Sequence, residues 1–285
     1  MRVLKTIHRA IFAPIDDLIT YRAMPTLSVD HLDPFLFLNH HGPQFYQPDN
    51  QGLPFGPHPH RGFETLTFIL KGDIMHWDSS GAKSVINEGG VQWMTAGRGL
   101  IHSEVSSPEF KKNGGEEEVI QLWMNLPARL KMTPPHYVGL EQQDVLQFTT
   151  PDGNARINLV AGEWNGQKGP IESLTGLTMA SMQLNAGGNL VFDVPSHHQI
   201  LFYVVRGNLT VNGTQVVKHE LAEFGFEGEK LAISAKEDSF LILGHGEPFH
   251  EPIVAHGPFV MNTPNEINEA IRDYQHGKMG QWNGE

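Results

Sequence analysis

The chain contains no cysteine, which excludes a disulfide framework, a thiolate metal site and a thiol nucleophile. It also lacks any run of about 18 apolar residues that could cross a membrane. The first 17 residues alternate apolar and polar side chains, without the unbroken apolar stretch of a signal peptide. Together these absences predict a soluble, cytoplasmic protein with no membrane contact. Clustered basic charge is missing as well, the longest Lys/Arg run being Lys111-Lys112. Nucleic-acid binding draws its affinity from Lys and Arg against phosphate, so direct contact with DNA or RNA is not expected.

What is abundant is turn chemistry: 30 glycines and 19 prolines in 285 residues, with 18% charged side chains, describe a globular chain of many short strands. The formal net charge of −12 is uneven. Residues 1–135 carry 12 Lys+Arg against 14 Asp+Glu, and residues 136–285 carry 8 against 18, so the second half holds most of the negative charge and offers a contact face for a basic partner.

Strand-like stretches open the chain at Leu4 to Ile7 and Leu18 to Tyr21, followed by the apolar run Phe35 to Leu38. A Pro/Gly-rich loop from Pro43 to Pro59 leads to Thr65–Leu70, and turns then recur at roughly ten-residue spacing, the pattern of an antiparallel sandwich or barrel. Glu109 to Glu118 reads as a charged exposed turn, and Pro134 to Pro151 as a connector with one short strand. Beyond the connector, Gln199 to Gly207 echoes Glu64 to Gly72 at an offset of 135 residues. The chain is therefore expected to hold two tandem β-barrels, 1–135 and 136–285. Thr263-Pro264-Asn265-Glu266 is a capping box with proline at the first helical position, predicting a short helix at about 264–276 whose Ile267, Ala270, Ile271 and Tyr274 face core.

Two segments carry the chemistry. In His58-Pro59-His60 and His102-Ser103-Glu104 the spacing places each pair on one face of a strand. Three imidazoles and a carboxylate suit a divalent first-row transition ion, Fe, Mn, Co, Ni, Cu or Zn, and leave coordination positions open to substrate or dioxygen. The offset of 135 carries His58 and His60 onto Asp193 and Pro195, so the second barrel is expected to lack metal ligands. The adjacent His197-His198 reads as a turn or surface pair. His40 and His41, being adjacent, cannot both face one site if extended, and a structural or supporting role is expected of them.

Pro57–Thr65, Met94–Glu104, Gln121–Pro127 and His256–Thr263 together resemble the pirin family of the cupin superfamily, over nearly the whole chain. The resemblance implies an all-β bicupin, two cupin-type barrels with a short C-terminal helix, whose N-terminal barrel binds one iron through His58, His60, His102 and Glu104. The wider cupin pattern offers Glu64 instead of Glu104. An ideal strand would put Glu64 about 13 Å from His60, which leaves it a candidate for orienting an imidazole.

Pirin-like proteins are known both as flavonol-cleaving dioxygenases and as metal-dependent regulators, so the resemblance implies two functions. In one, a flavonol of the quercetin type binds the metal beside dioxygen, and Glu104 accepts the 3-hydroxyl proton. In the other, the metal senses redox state and switches a surface that binds a partner protein. Zinc-dependent hydrolysis or isomerisation at the same ligands remains open, as does a purely structural barrel. A monomer is expected, since two fused barrels supply what a cupin dimer would.

Overall fold

The structure, a computed structural model, describes residues 1–282. Antiparallel strands dominate, and none of the described helices is long and apolar enough to cross a membrane. The chain forms two compact units.

In the first unit, one sheet runs in the order His136–Leu140, Val91–Thr95, Phe63–Lys71, Gly115–Asn125, Phe35–Tyr46, and a four-stranded sheet runs Phe55–His60, Leu100–Val105, Asp73–Asp78, Lys83–Asn87. The second unit repeats this order. Its larger sheet begins Leu4–Arg9, Glu220–Phe224, Gln199–Arg206, Ser239–Gly246, Thr178–Leu184, and its smaller sheet is Asn189–Asp193, Lys230–Ala235, Asn208–Val211, Thr214–Val217. The turn glycines of the echo occupy matching places. Gly72 has φ of +80° and Gly207 of +91°, a region that glycine enters without strain. A Cβ at Gly72 would meet the Glu117 carboxylate at 2.7 Å, and one at Gly207 would collide with Ser239.

The division between units departs from the expected one. The first unit comprises Phe12–Thr20, Phe37–Gln142 and the segment from Phe249 onward, and the second comprises Met1–Ile11, Tyr21–Leu36 and Gln143–Pro248. Without Leu4–Arg9, which pairs along it, the Glu220–Phe224 strand would present an open edge. His136–Leu140 closes the corresponding edge in the first unit by pairing with Val91–Thr95. The connector thus holds two strands, His136–Leu140 and Leu146–Thr149, one for each unit.

The interiors differ in character. The second barrel is filled by apolar side chains such as Ile157, Met182, Ile200, Phe202, Val204, Leu231 and Leu243; truncating one of these to alanine costs about 2–5 kcal/mol. The first barrel has a smaller apolar cluster of Leu18, Leu53, Ile69, Ile74, Ile86 and Val119, and it also buries Thr67, His102 and Glu104.

The segment expected as an exposed turn is ordered differently. Ser107 caps a helix over Pro108–Asn113 by accepting from the Phe110 amide, and the next strand starts at Gly115 with Glu117 and Glu118 buried. Glu118 bonds His40 at 3.0 Å. Burial, and then the Asp73 carboxylate, pushes Glu117 up to about 9. A carboxyl whose folded pKa exceeds its unfolded value takes up a proton on folding, so its contribution is most favourable below the unfolded value of about 4.3 and declines as pH rises towards the folded one. Glu117→Gln is expected to be more stable than the parent at pH 8 and to converge with it below pH 4, as read by urea unfolding.

Candidate metal centre

The Phe55–His60 and Leu100–Val105 strands pair antiparallel, with His58 opposite His102. Gly99, at φ +118°, turns the chain into the second of these strands. Because residues two apart share a face, the three rings converge, with centroids 4.7 Å apart for His58 and His60, 4.4 Å for His58 and His102, and 4.9 Å for His60 and His102. One nitrogen from each lies within 4.8 Å of the others.

Their tautomers follow from their partners. His58 Nδ1 lies 2.7 Å from the Gly56 carbonyl and His60 Nδ1 lies 3.2 Å from that of Pro258. A carbonyl only accepts, so both Nδ1 atoms carry hydrogen and, in neutral rings, both Nε2 atoms are bare. Those two nitrogens stand 3.1 Å apart. His102 is fully buried, and neither of its ring nitrogens has a hydrogen-bond partner. Burial, then His58, pushes His60 down to about 3. Burial followed by His60, His58 and His76 holds His102 well below the ordinary histidine value. Neutral imidazoles whose lone pairs converge are what a divalent transition ion requires, and the residues fit such an ion.

Glu104 stands beside this trio but not within it. The ladder shifts register between His102 and Glu104, and Glu104 Oε2 lies 4.0 Å from His102 Nε2. Thr67 Oγ1 donates to Glu104 Oε1 at 3.1 Å, and Gln121 Nε2 donates to Oε2 at 2.7 Å. Sequence reasoning missed both donors. Their signal is that Thr67 and Gln121 are cross-strand partners, each with apolar residues on both sides in sequence.

Glu64 does not orient an imidazole. It lies three residues from Thr67 along one strand and so faces the opposite side, where Trp93 Nε1 and Thr95 Oγ1 donate to its Oε1 at 3.1 and 2.5 Å. His76, unremarked in the sequence, is buried 5.4 Å from the His102 ring, bonds Asp78 at 2.9 Å and stacks on Tyr137 at 3.9 Å. His41 bonds Thr20 Oγ1 at 2.8 Å. An aromatic wall flanks His60, with Phe63 at 5.0 Å and Trp123 at 5.2 Å between centroids.

The C-terminal segment reaches the site's flank. Besides the Pro258 carbonyl on His60, Asp273 Oδ2 accepts from Arg61 Nη1 at 3.0 Å, and Arg61 Nε donates to the Arg98 carbonyl at 2.7 Å. The helix runs Pro264–Gln275 with the expected capping box. Its buried face is Ile267, Ala270 and Asp273, while Tyr274 is exposed. A core pattern in apolar residues alone could not anticipate a buried carboxylate. Lys131, also buried, donates to the Gly62 and Val260 carbonyls and to Asn125 Oδ1 at 2.8–3.0 Å.

Two antiparallel barrels of one strand order, the first holding a histidine cluster between its sheets, define the chain as a two-domain cupin. It belongs to the pirin family. The family models for Pirin and for the Pirin C-terminal cupin domain match residues 18–124 and 179–280. The chain is 38% identical over 265 residues to "Putative quercetin 2,3-dioxygenase PA2418" of Pseudomonas aeruginosa, covering 93% of this chain and 91% of that protein. It is also 38% identical over 269 residues to a pirin-like protein of Arabidopsis thaliana, covering 91% and 84%. The crystal structure of a quercetin 2,3-dioxygenase from Acinetobacter baumannii is similar with a TM-score of 0.92 at 35% identity, covering 99% of each chain.

Asp273→Ala leaves Arg61 buried without its carboxylate, for a loss of about 1–3 kcal/mol at pH 7. The hydrogen bond from Lys278 holds Asp273 below the ordinary aspartate value, against the effect of burial, with Arg61 adding to it. That contribution is present above the unfolded value of about 3.9 and is lost as pH falls through the folded one. Urea unfolding should therefore show a gap between parent and variant at pH 7 that closes on acidification.

Proposed function

We propose that the chain is a metal-dependent flavonol dioxygenase of the quercetin 2,3-dioxygenase type, with one iron held by His58, His60 and His102 and Glu104 as fourth ligand. The observation that carries this reading is the pair of bare Nε2 atoms 3.1 Å apart beside the unpartnered nitrogens of a buried His102. Apposed lone pairs repel unless a cation lies between them. The relatives' names support the choice of reaction.

When bound, the metal supplies Lewis acidity and an open position at which substrate and dioxygen can be activated. The remaining tasks fall to side chains. The half-buried Trp123, backed by the buried Phe63 ring 4.4 Å away, offers an apolar flank to a planar ring system. Glu104 accepts the proton of the flavonol 3-hydroxyl, and the donors Thr67 and Gln121 fix its carboxylate in place.

Iron-loaded protein is expected to take up oxygen as quercetin absorbance disappears. Glu104→Gln should lower kcat by about 10²–10⁴-fold, with iron content measured alongside to separate base from ligand. Full activity in that variant excludes the base role. His102→Ala should lose stoichiometric iron. Parent protein that retains iron yet consumes no oxygen with quercetin overturns the dioxygenase reading in favour of a metal-sensing regulator.

A further inference from the structure

The offset of 135 points to Asp193 and Pro195, but strand register places Phe192 and Val194 where the first barrel has His58 and His60; neither can ligate a metal, and the second barrel gathers its histidines elsewhere. With Gln199 matched to Glu64, His198 takes the place of Phe63, and the strand register places His245 where Trp123 stands. The positions that are aromatic wall in one barrel are imidazole in the other.

Three side chains at this end of the second barrel present metal-binding atoms within 4.8 Å of one another: His197, His198 and Glu247. His197 Nε2 lies 3.2 Å from Glu247 Oε1. Adjacent residues in an extended chain point apart, yet the His197 and His198 rings are 4.6 Å apart. A turn closed by the His198 amide on the Pro195 carbonyl brings them together.

That turn is clamped. The buried Arg2 guanidinium donates to the carbonyls of Pro195 at 3.3 Å, Ser196 at 2.8 Å and Gly228 at 3.1 Å, and to that of His198. The His198 ring is oriented in turn, its Nδ1 2.9 Å from Nδ1 of the buried His245. A ligating imidazole characteristically spends its other nitrogen on such a partner, and here Nε2 is left for an ion. Glu247 supplies negative charge to offset Arg2.

We propose that His197, His198 and Glu247 form a second transition-metal site, with His245 as a positioning residue. Two imidazoles and one carboxylate suit Zn²⁺, Co²⁺ or Ni²⁺, with solvent completing the shell. His198 also lines a cavity of about 810 Å³ whose walls include Trp164 and Phe192, so the ion would border a space of small-molecule size. The site is independent of the one assigned to the first barrel.

The test is titration of metal-free full-length protein with Zn²⁺, followed by calorimetry and elemental analysis. The parent should bind about two ions per chain, His197→Ala/Glu247→Ala about one, and His58→Ala/His102→Ala about one. His197 and Glu247 are exposed, with side chains 62% and 68% accessible, so their removal leaves the fold intact. His245→Ala should keep the stoichiometry while weakening the second site about 10–100-fold. If the His197/Glu247 variant binds as many ions as the parent, the proposal is overturned. It is equally overturned if the parent binds one ion that disappears with His58 and His102. A single ion that disappears with His197 and Glu247 supports this site and sinks the assignment in the first barrel.

Discussion

Two backbone carbonyls govern the chemistry of the first barrel. By accepting from His58 and His60, the carbonyls of Gly56 and Pro258 place hydrogen on both Nδ1 atoms and leave both Nε2 atoms bare at 3.1 Å. In a buried setting that arrangement is costly without a cation. The low dielectric that creates the cost also strengthens attraction to an ion.

One of those carbonyls arrives from almost two hundred residues away in sequence. Pro258 lies in the C-terminal segment, whose helix also sends Asp273 to Arg61, immediately after His60. Lys131 joins Gly62 and Val260 through a single buried ammonium. The Phe55–His60 strand and the residues just after it are thus held from several sides by groups outside the histidine cluster. Such outer contacts commonly matter to metal affinity nearly as much as the ligands do.

The two barrels share strand order and the turn glycines Gly72 and Gly207, yet their interiors have diverged. The second packs Phe202, Met182 and Leu243 into an apolar core. The first buries Thr67 and Glu104 between its sheets, where Gln121 meets the same carboxylate. Polar groups in that interior are retained because they bond one another. In the second barrel the cavity is lined instead by His198, on a turn that Arg2 pins down, and by His245, on the Ser239–Gly246 strand.

Alternation along strands, turn spacing and the capping box at Thr263 are local properties, so the all-β class, the repeat at 135 residues, the terminal helix and the convergence of His58, His60 and His102 were legible in the sequence. Pairing between distant segments is not local. That Leu4–Arg9 closes the second unit, that the segment after Phe249 belongs to the first, and that Glu117, Glu118 and Asp273 are buried depended on which edges and carboxylates found partners in three dimensions. The ladder shift before Glu104, the turn that brings His197 against His198, and the arrival of Glu247 beside them are likewise tertiary. Spacing determines which face a side chain takes; only the folded backbone determines what stands opposite it.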